Sequence, residues 1–123
     1  MPTPISDPDA ALLGLRDALR RFAAERDWDQ FHSPKNLAAA LSVEAAELLE
    51  HFQWLSEEAS ASLSTEARNR VAEEMADVLL YLVRLADKLD VDLVAAAVAK
   101  MALNARKYPI EKSRGSSAKY DAL

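Results

Sequence analysis

The chain has 123 residues, half of them apolar and over a quarter charged, with a net charge of −5 and no cysteine. That is enough for one domain with a real core. It excludes disulfides, thiolate zinc sites and a cysteine nucleophile, and argues against general nucleic-acid binding, which needs a basic face. Two glycines leave no Gly-rich phosphate loop. Met1-Pro2-Thr3-Pro4 lacks the basic and apolar regions of a secretion signal, and no run of about 18 apolar residues exists to span a membrane. A cytoplasmic location is expected.

Residues 1–6 are read as a short flexible arm. Helix one is expected from Ser6 or Asp7 to about Arg26, carried by Leu12, Leu15, Leu19, Phe22 and Ala23 at steps of three and four. The segment 27–33 breaks that rhythm. Ser33 can cap a second helix and Pro34 can open it, and the pattern then runs to about Trp54. Residues 56–62 are small and polar and read as a loop. Ser64 or Thr65 starts a third helix reaching about Leu89, and Asp92 caps a fourth over 93–107. The stretch 110–123 is basic and Ser-rich and is expected to be a non-helical tail. With no period-2 pattern, the expectation is an all-α chain, a four-helix antiparallel bundle.

The chemistry centres on two carboxylate couples. Glu44 and Glu47 lie on the second expected helix, Glu74 and Asp77 on the third, with 26 residues between Glu47 and Glu74. On a helix, i,i+3 acids share a face, about 60° apart around the axis and about 4.5 Å along it. Leu41, Val43, Leu48, Leu49 and Phe52 surround the first couple, and Val71, Met75, Val78, Leu79 and Leu82 the second. Four acids near an apolar helix seam repel one another and lose solvation unless a cation sits between them. A hard divalent ion with oxygen ligands, such as Mg²⁺, is the simplest candidate. A solvated acidic surface is the bland alternative.

The pattern E-x-x-E followed by E-x-x-D on two helices resembles the MazG-like nucleoside triphosphate pyrophosphohydrolases. Phe22-Ala-Ala-Glu-Arg-Asp-Trp28, His32, Pro34-Lys-Asn36-Leu, His51-Phe-Gln-Trp54, Asp77-Val-Leu-Leu-Tyr81-Leu, Asn104-Ala-Arg-Lys107-Tyr108-Pro109 and Ser113-Arg114-Gly with Lys119-Tyr120 extend the likeness to the dCTP pyrophosphatase branch, over about residues 10–121. The resemblance implies one MazG-like domain over 1–123 that cleaves dCTP, a modified dCTP or another (d)NTP to monophosphate and pyrophosphate. It implies Mg²⁺ held by Glu44, Glu47, Glu74 and Asp77, with Glu44 or Glu47 as general base. It also implies a homo-oligomer, commonly a tetramer, and a role in cleansing the nucleotide pool. Trp28, His32 and Trp54 would line the base pocket. Tyr81 itself reads as a core residue whose hydroxyl reaches an acid or ribose. Asn104, Lys107 and Tyr108 would approach phosphates or sugar, and the tail around Arg114 and Lys119 would close over a site. The competing reading is a non-catalytic helical module that pairs through its apolar seams. A di-iron bundle is disfavoured, because neither His32 nor His51 stands three residues after a glutamate.

Overall fold

The computed structural model describes residues 7–123, and the arm expected at 1–6 lies outside them. Every regular element among the described residues is helical. The chain divides into two compact units, residues up to Val91 and Asp92–Leu123.

In the first unit, α1 spans Pro8–Glu25, α2 Pro34–Glu50, α3 Glu57–Ser60 and α4 Thr65–Lys88, with one 3₁₀ turn at Asp29–Phe31. The starts follow local chemistry. Asp7, Ser33, Ser56 and Ser64 each turn a side-chain oxygen onto a free N–H of the first turn. Pro8 and Pro34 occupy first-turn positions where the missing N–H costs nothing. α4 is the spine of the unit, with α2 and α1 both packed on it. Leu37 of α2, Val71, Val83 and Ala86 of α4 and Ala23 of α1 are buried in that packing.

α1 and α4 end the same way. Asp27 and Asp90 both take φ 54°, the left-handed conformation that a short polar side chain tolerates. The Trp28 N–H then reaches back to the Ala23 carbonyl (2.9 Å) and the Asp27 N–H to that of Ala24 (3.2 Å). Val91 and Asp90 repeat the pattern on Ala86 (2.9 Å) and Asp87 (3.2 Å). These are Schellman closures, in which the chain reverses while the last carbonyls stay satisfied.

Two boundaries depart from expectation. α2 stops at Glu50 rather than Trp54. The His51 N–H bonds to Leu48, three residues back, and the chain turns through 51–54 toward Ser56. Ser56 must be extended (ψ 163°) to cap α3, so the helix cannot run into it. The expected loop at 56–62 therefore contains a short helix, with Glu57 and Glu58 in its first turn.

In the second unit, α5 spans Leu93–Lys107 behind the Asp92 cap, as expected. The expected non-helical tail instead contains a helical turn, α6 at Ile110–Ser113, and a 3₁₀ turn at Tyr120–Ala122. Pro109 starts α6: its carbonyl accepts from Lys112 (3.1 Å) and Ser113 (2.9 Å).

Candidate active site

The packing of α2 on α4 brings acids from the two helices together. Glu44, Glu74 and Asp77 can each offer a carboxylate oxygen such that all three atoms lie within 4.8 Å of one another. Glu44 Oε2 and Glu74 Oε2 are shielded from solvent and have no hydrogen-bond partner. Burial pushes the Glu44 carboxyl up to about 7, helped by the neighbouring Glu47 carboxyl and by the charges of Asp77 and Glu74. Glu47 therefore stands beside Glu44, although it is not one of the three converging acids. Such an arrangement is costly without a cation, and its all-oxygen donor set suits a hard divalent ion. Glu73, one residue from Glu74, is exposed.

His51 is not among the residues expected at the site. Its Nε2 lies 3.7 Å from Glu74 Oε1, at the edge of the acid cluster. Its position directly after Glu50 gave no signal, because the contact exists only once α2 meets α4.

Next to the acids is a cleft of about 250 Å³, lined by Leu19, Phe22, Trp28, His32, Tyr81 and Arg84 among others, and by Asp77 itself. Asp77 thus belongs to both features. The Schellman closure of α1 sets the aromatic wall. Trp28 packs edge-on against Phe22, six residues earlier, ring centroids 5.7 Å apart. Of the groups expected around a base, Trp28 and His32 line this cleft, as does Tyr81, which was expected to reach an acid or ribose. Trp54 does not: it lies in the turn after α2 and is 88% exposed.

From His32 and Arg84 in the cleft wall extends a charged lattice that the sequence did not announce. Arg84, only 5% exposed, donates from Nε to His32 Nδ1 (3.1 Å) and from Nη2 to Asp29 Oδ1 (2.5 Å), and its Nη1 faces Asp87 Oδ2 at 3.4 Å. Lys88 shares the Asp29 oxygen at 2.5 Å. Arg20 grips Asp87 through two nitrogens, at 2.8 and 2.5 Å. The Lys88 hydrogen bond holds the Asp29 carboxyl below the usual range, and the Arg20 bond does the same for Asp87. Burial pushes His32 down, reinforced by the positive charges of Arg84 and Lys88, with Asp29 opposing.

Asn104, Lys107, Tyr108, Arg114 and Lys119 all belong to the second unit. There the Lys107 ammonium sits 4.9 Å from the centre of the Tyr120 ring, and Tyr108 meets that ring edge-on at 6.2 Å.

The MazG-like family profile matches residues 39–123, which include all four acids. The chain belongs to the MazG-like family. Within it, the chain stands with the dCTP pyrophosphatase branch. It is 46% identical over 118 residues to dCTP pyrophosphatase 1 of Rattus norvegicus, covering 94% of this chain and 69% of the relative. The Homo sapiens dCTP pyrophosphatase 1 gives the same identity and coverage. Among solved structures, a pyrophosphatase from Archaeoglobus fulgidus superposes with a TM-score of 0.76 at 43% identity, covering 80% of this chain and 93% of that one. This MazG-like chain thus shares both sequence and fold with pyrophosphatases along most of its length.

Proposed function

We propose that this chain hydrolyses a nucleoside triphosphate, dCTP or a modified dCTP, to the monophosphate and pyrophosphate. One observation carries the reading: Asp77 is at once a member of the converging acids and part of the wall of a cleft lined by Trp28 and His32. A base held in the cleft would put its triphosphate near the acids. Kinship with dCTP pyrophosphatases of 46% identity supports the same substrate.

Glu44, Glu74 and Asp77, with Glu47 adjoining, would hold Mg²⁺. The ion would supply the positive charge that lets a triphosphate approach carboxylates. Glu47, outside the trio but beside it, accepts a proton from the attacking water. The water oxygen bonds to the α-phosphorus, the bond from that phosphorus to the α,β-bridging oxygen breaks, and pyrophosphate leaves. Trp28 stacks on the base, and His32 meets its hydrogen-bonding edge. Trp54, Asn104, Lys107, Tyr108, Arg114 and Lys119 keep their assignment to base, sugar and phosphates on the family resemblance alone.

The working form is taken to be a homo-oligomer, a tetramer of four-helix antiparallel subunits, in the cytoplasm. Val43 and Leu49 of α2 and Met75, Leu79 and Leu82 of α4 are exposed large apolar side chains, an arrangement that favours covering by another copy. No described helix is long and apolar enough to cross a membrane.

Incubation with each dNTP and Mg²⁺, followed by separation of products, tests the reading. dCMP with pyrophosphate is expected. dCDP with orthophosphate, or no turnover of any nucleotide, rejects it. Asp77→Asn should abolish turnover while the helical spectrum is retained.

A further inference from the structure

We propose that Arg84 is a positioning residue: buried in the cleft wall, it holds His32 as the neutral Nε2–H tautomer, so the cleft offers a bound base one fixed hydrogen-bond donor. The inference rests on the nucleotide reading above and refines its specificity.

A guanidinium has five N–H donors and no acceptor. An Arg84 Nε to His32 Nδ1 contact of 3.1 Å therefore needs the lone pair of Nδ1. The ring's single proton is then on Nε2. His32 lines the cleft, so that Nε2–H is the donor it can present there. Protonating Nδ1 as well would set an N–H against the Arg84 N–H, in the field of both Arg84 and Lys88.

The guanidinium cannot swing away from this task. Asp29 and Asp87 face its two terminal nitrogens, at 2.5 and 3.4 Å. Both acids are anchored again, Asp29 by Lys88 and Asp87 by the two-nitrogen grip of Arg20. Elements far apart in the chain thus fix one imidazole before any ligand arrives, which lowers the cost of ordering it on binding. The complementary ligand carries an acceptor on its base edge, as a pyrimidine does at O2 and a cytosine also at N3.

The first test uses the unaltered protein. A long-range ¹H–¹⁵N spectrum of its histidines should show His32 with a bare Nδ1 and a protonated Nε2. A protonated Nδ1, alone or in an imidazolium, overturns the proposal. The second uses Arg84→Met, which removes the N–H while Asp29 keeps Lys88 and Asp87 keeps Arg20. The expected result is a mixed tautomer at His32 and a KM for dCTP raised about tenfold, the scale of one neutral hydrogen bond. The kcat should change by less than about twofold, because the contact serves binding rather than the transition state alone. Inhibition by a baseless deoxyribose triphosphate should be unchanged. Equal losses for dCTP and the baseless compound, or a fall in kcat with KM unmoved, would mark Arg84 as merely structural and overturn the proposal. If the variant fails to fold, the spectrum of the unaltered protein still decides. Failure of the unaltered protein to turn over any dNTP would remove the function proposed above and leave the tautomer to that spectrum.

Discussion

Glu44→Gln should make the metal-free protein more stable while removing its response to a divalent cation. The substitution leaves the side-chain shape nearly unchanged. It replaces a charge that faces Glu74 and Asp77 with an amide whose N–H groups can be donated to them. With ligand oxygens within 4.8 Å, each facing charge costs about 1 kcal/mol at the dielectric of water and about 3 kcal/mol at an effective value of 20. For a partly exposed site the lower end applies, so two facing acids give a gain of about 2 kcal/mol. In a domain of this size that is roughly 8 °C in melting temperature. The gain must depend on pH. The folded Glu44 carboxyl is pushed up to about 7, from an ordinary value of 4.5, by burial first and by Glu47 next. A carboxyl that holds its proton more tightly when folded adds stability that is whole below 4.5 and lost as pH climbs through about 7. The variant should therefore melt with the parent at pH 4.5 and well above it at pH 8, in chelator and at one protein concentration. Magnesium should raise the parent's melting point at pH 8 and scarcely move the variant's. A variant that melts below its parent at pH 8 in chelator, or gains equally at both pH values, would refute the argument.

Other sites give independent checks by thermal or urea unfolding. Leu37→Ala, at a side chain 1% exposed, should cost about 3 kcal/mol through lost burial and the cavity left behind. Asp87→Asn should cost about 2 kcal/mol at pH 7 by weakening the pairing of Arg20 and Arg84. The native Asp87 carboxyl is held low, chiefly by the Arg20 hydrogen bond, so its contribution is present above pH 3.8 and is lost as pH falls through the depressed value. The gap between parent and variant should accordingly close in strong acid. Asp90→Gly, at φ 54°, should raise stability by about 1 kcal/mol, because glycine reaches this conformation without strain. A loss there would mean that the Asp90 side chain contributes more than its backbone geometry.

What could be read from the chain was what is local. Ser33-Pro34, Ser64 and Asp92 mark helix starts because a cap bonds to an N–H two or three residues on, within one stretch of sequence. The acid couples were readable for the same reason, since i,i+3 spacing fixes a face. Arg84 was not. An arginine on a helix reads as solvated, and its partners His32 and Asp29 are 52 and 55 residues away. The stop of α2 at Glu50 was hidden because 51–54 holds no glycine or proline to mark it. Trp28 and Trp54 looked alike in the sequence. The turn that follows α1 carries Trp28 back onto Phe22, while Trp54 projects outward from the turn after α2.

Trp28 owes its station to main-chain geometry at Asp27, and this separates two kinds of change that usually travel together. An aromatic swap at 28 would resize the slot without relocating it. A β-branched residue at 27 lines no part of the cleft, yet it resists positive φ and would shift the whole wall. Altered tolerance for bulky bases can therefore arise from a residue outside the slot, and a screen confined to the cleft lining would overlook it.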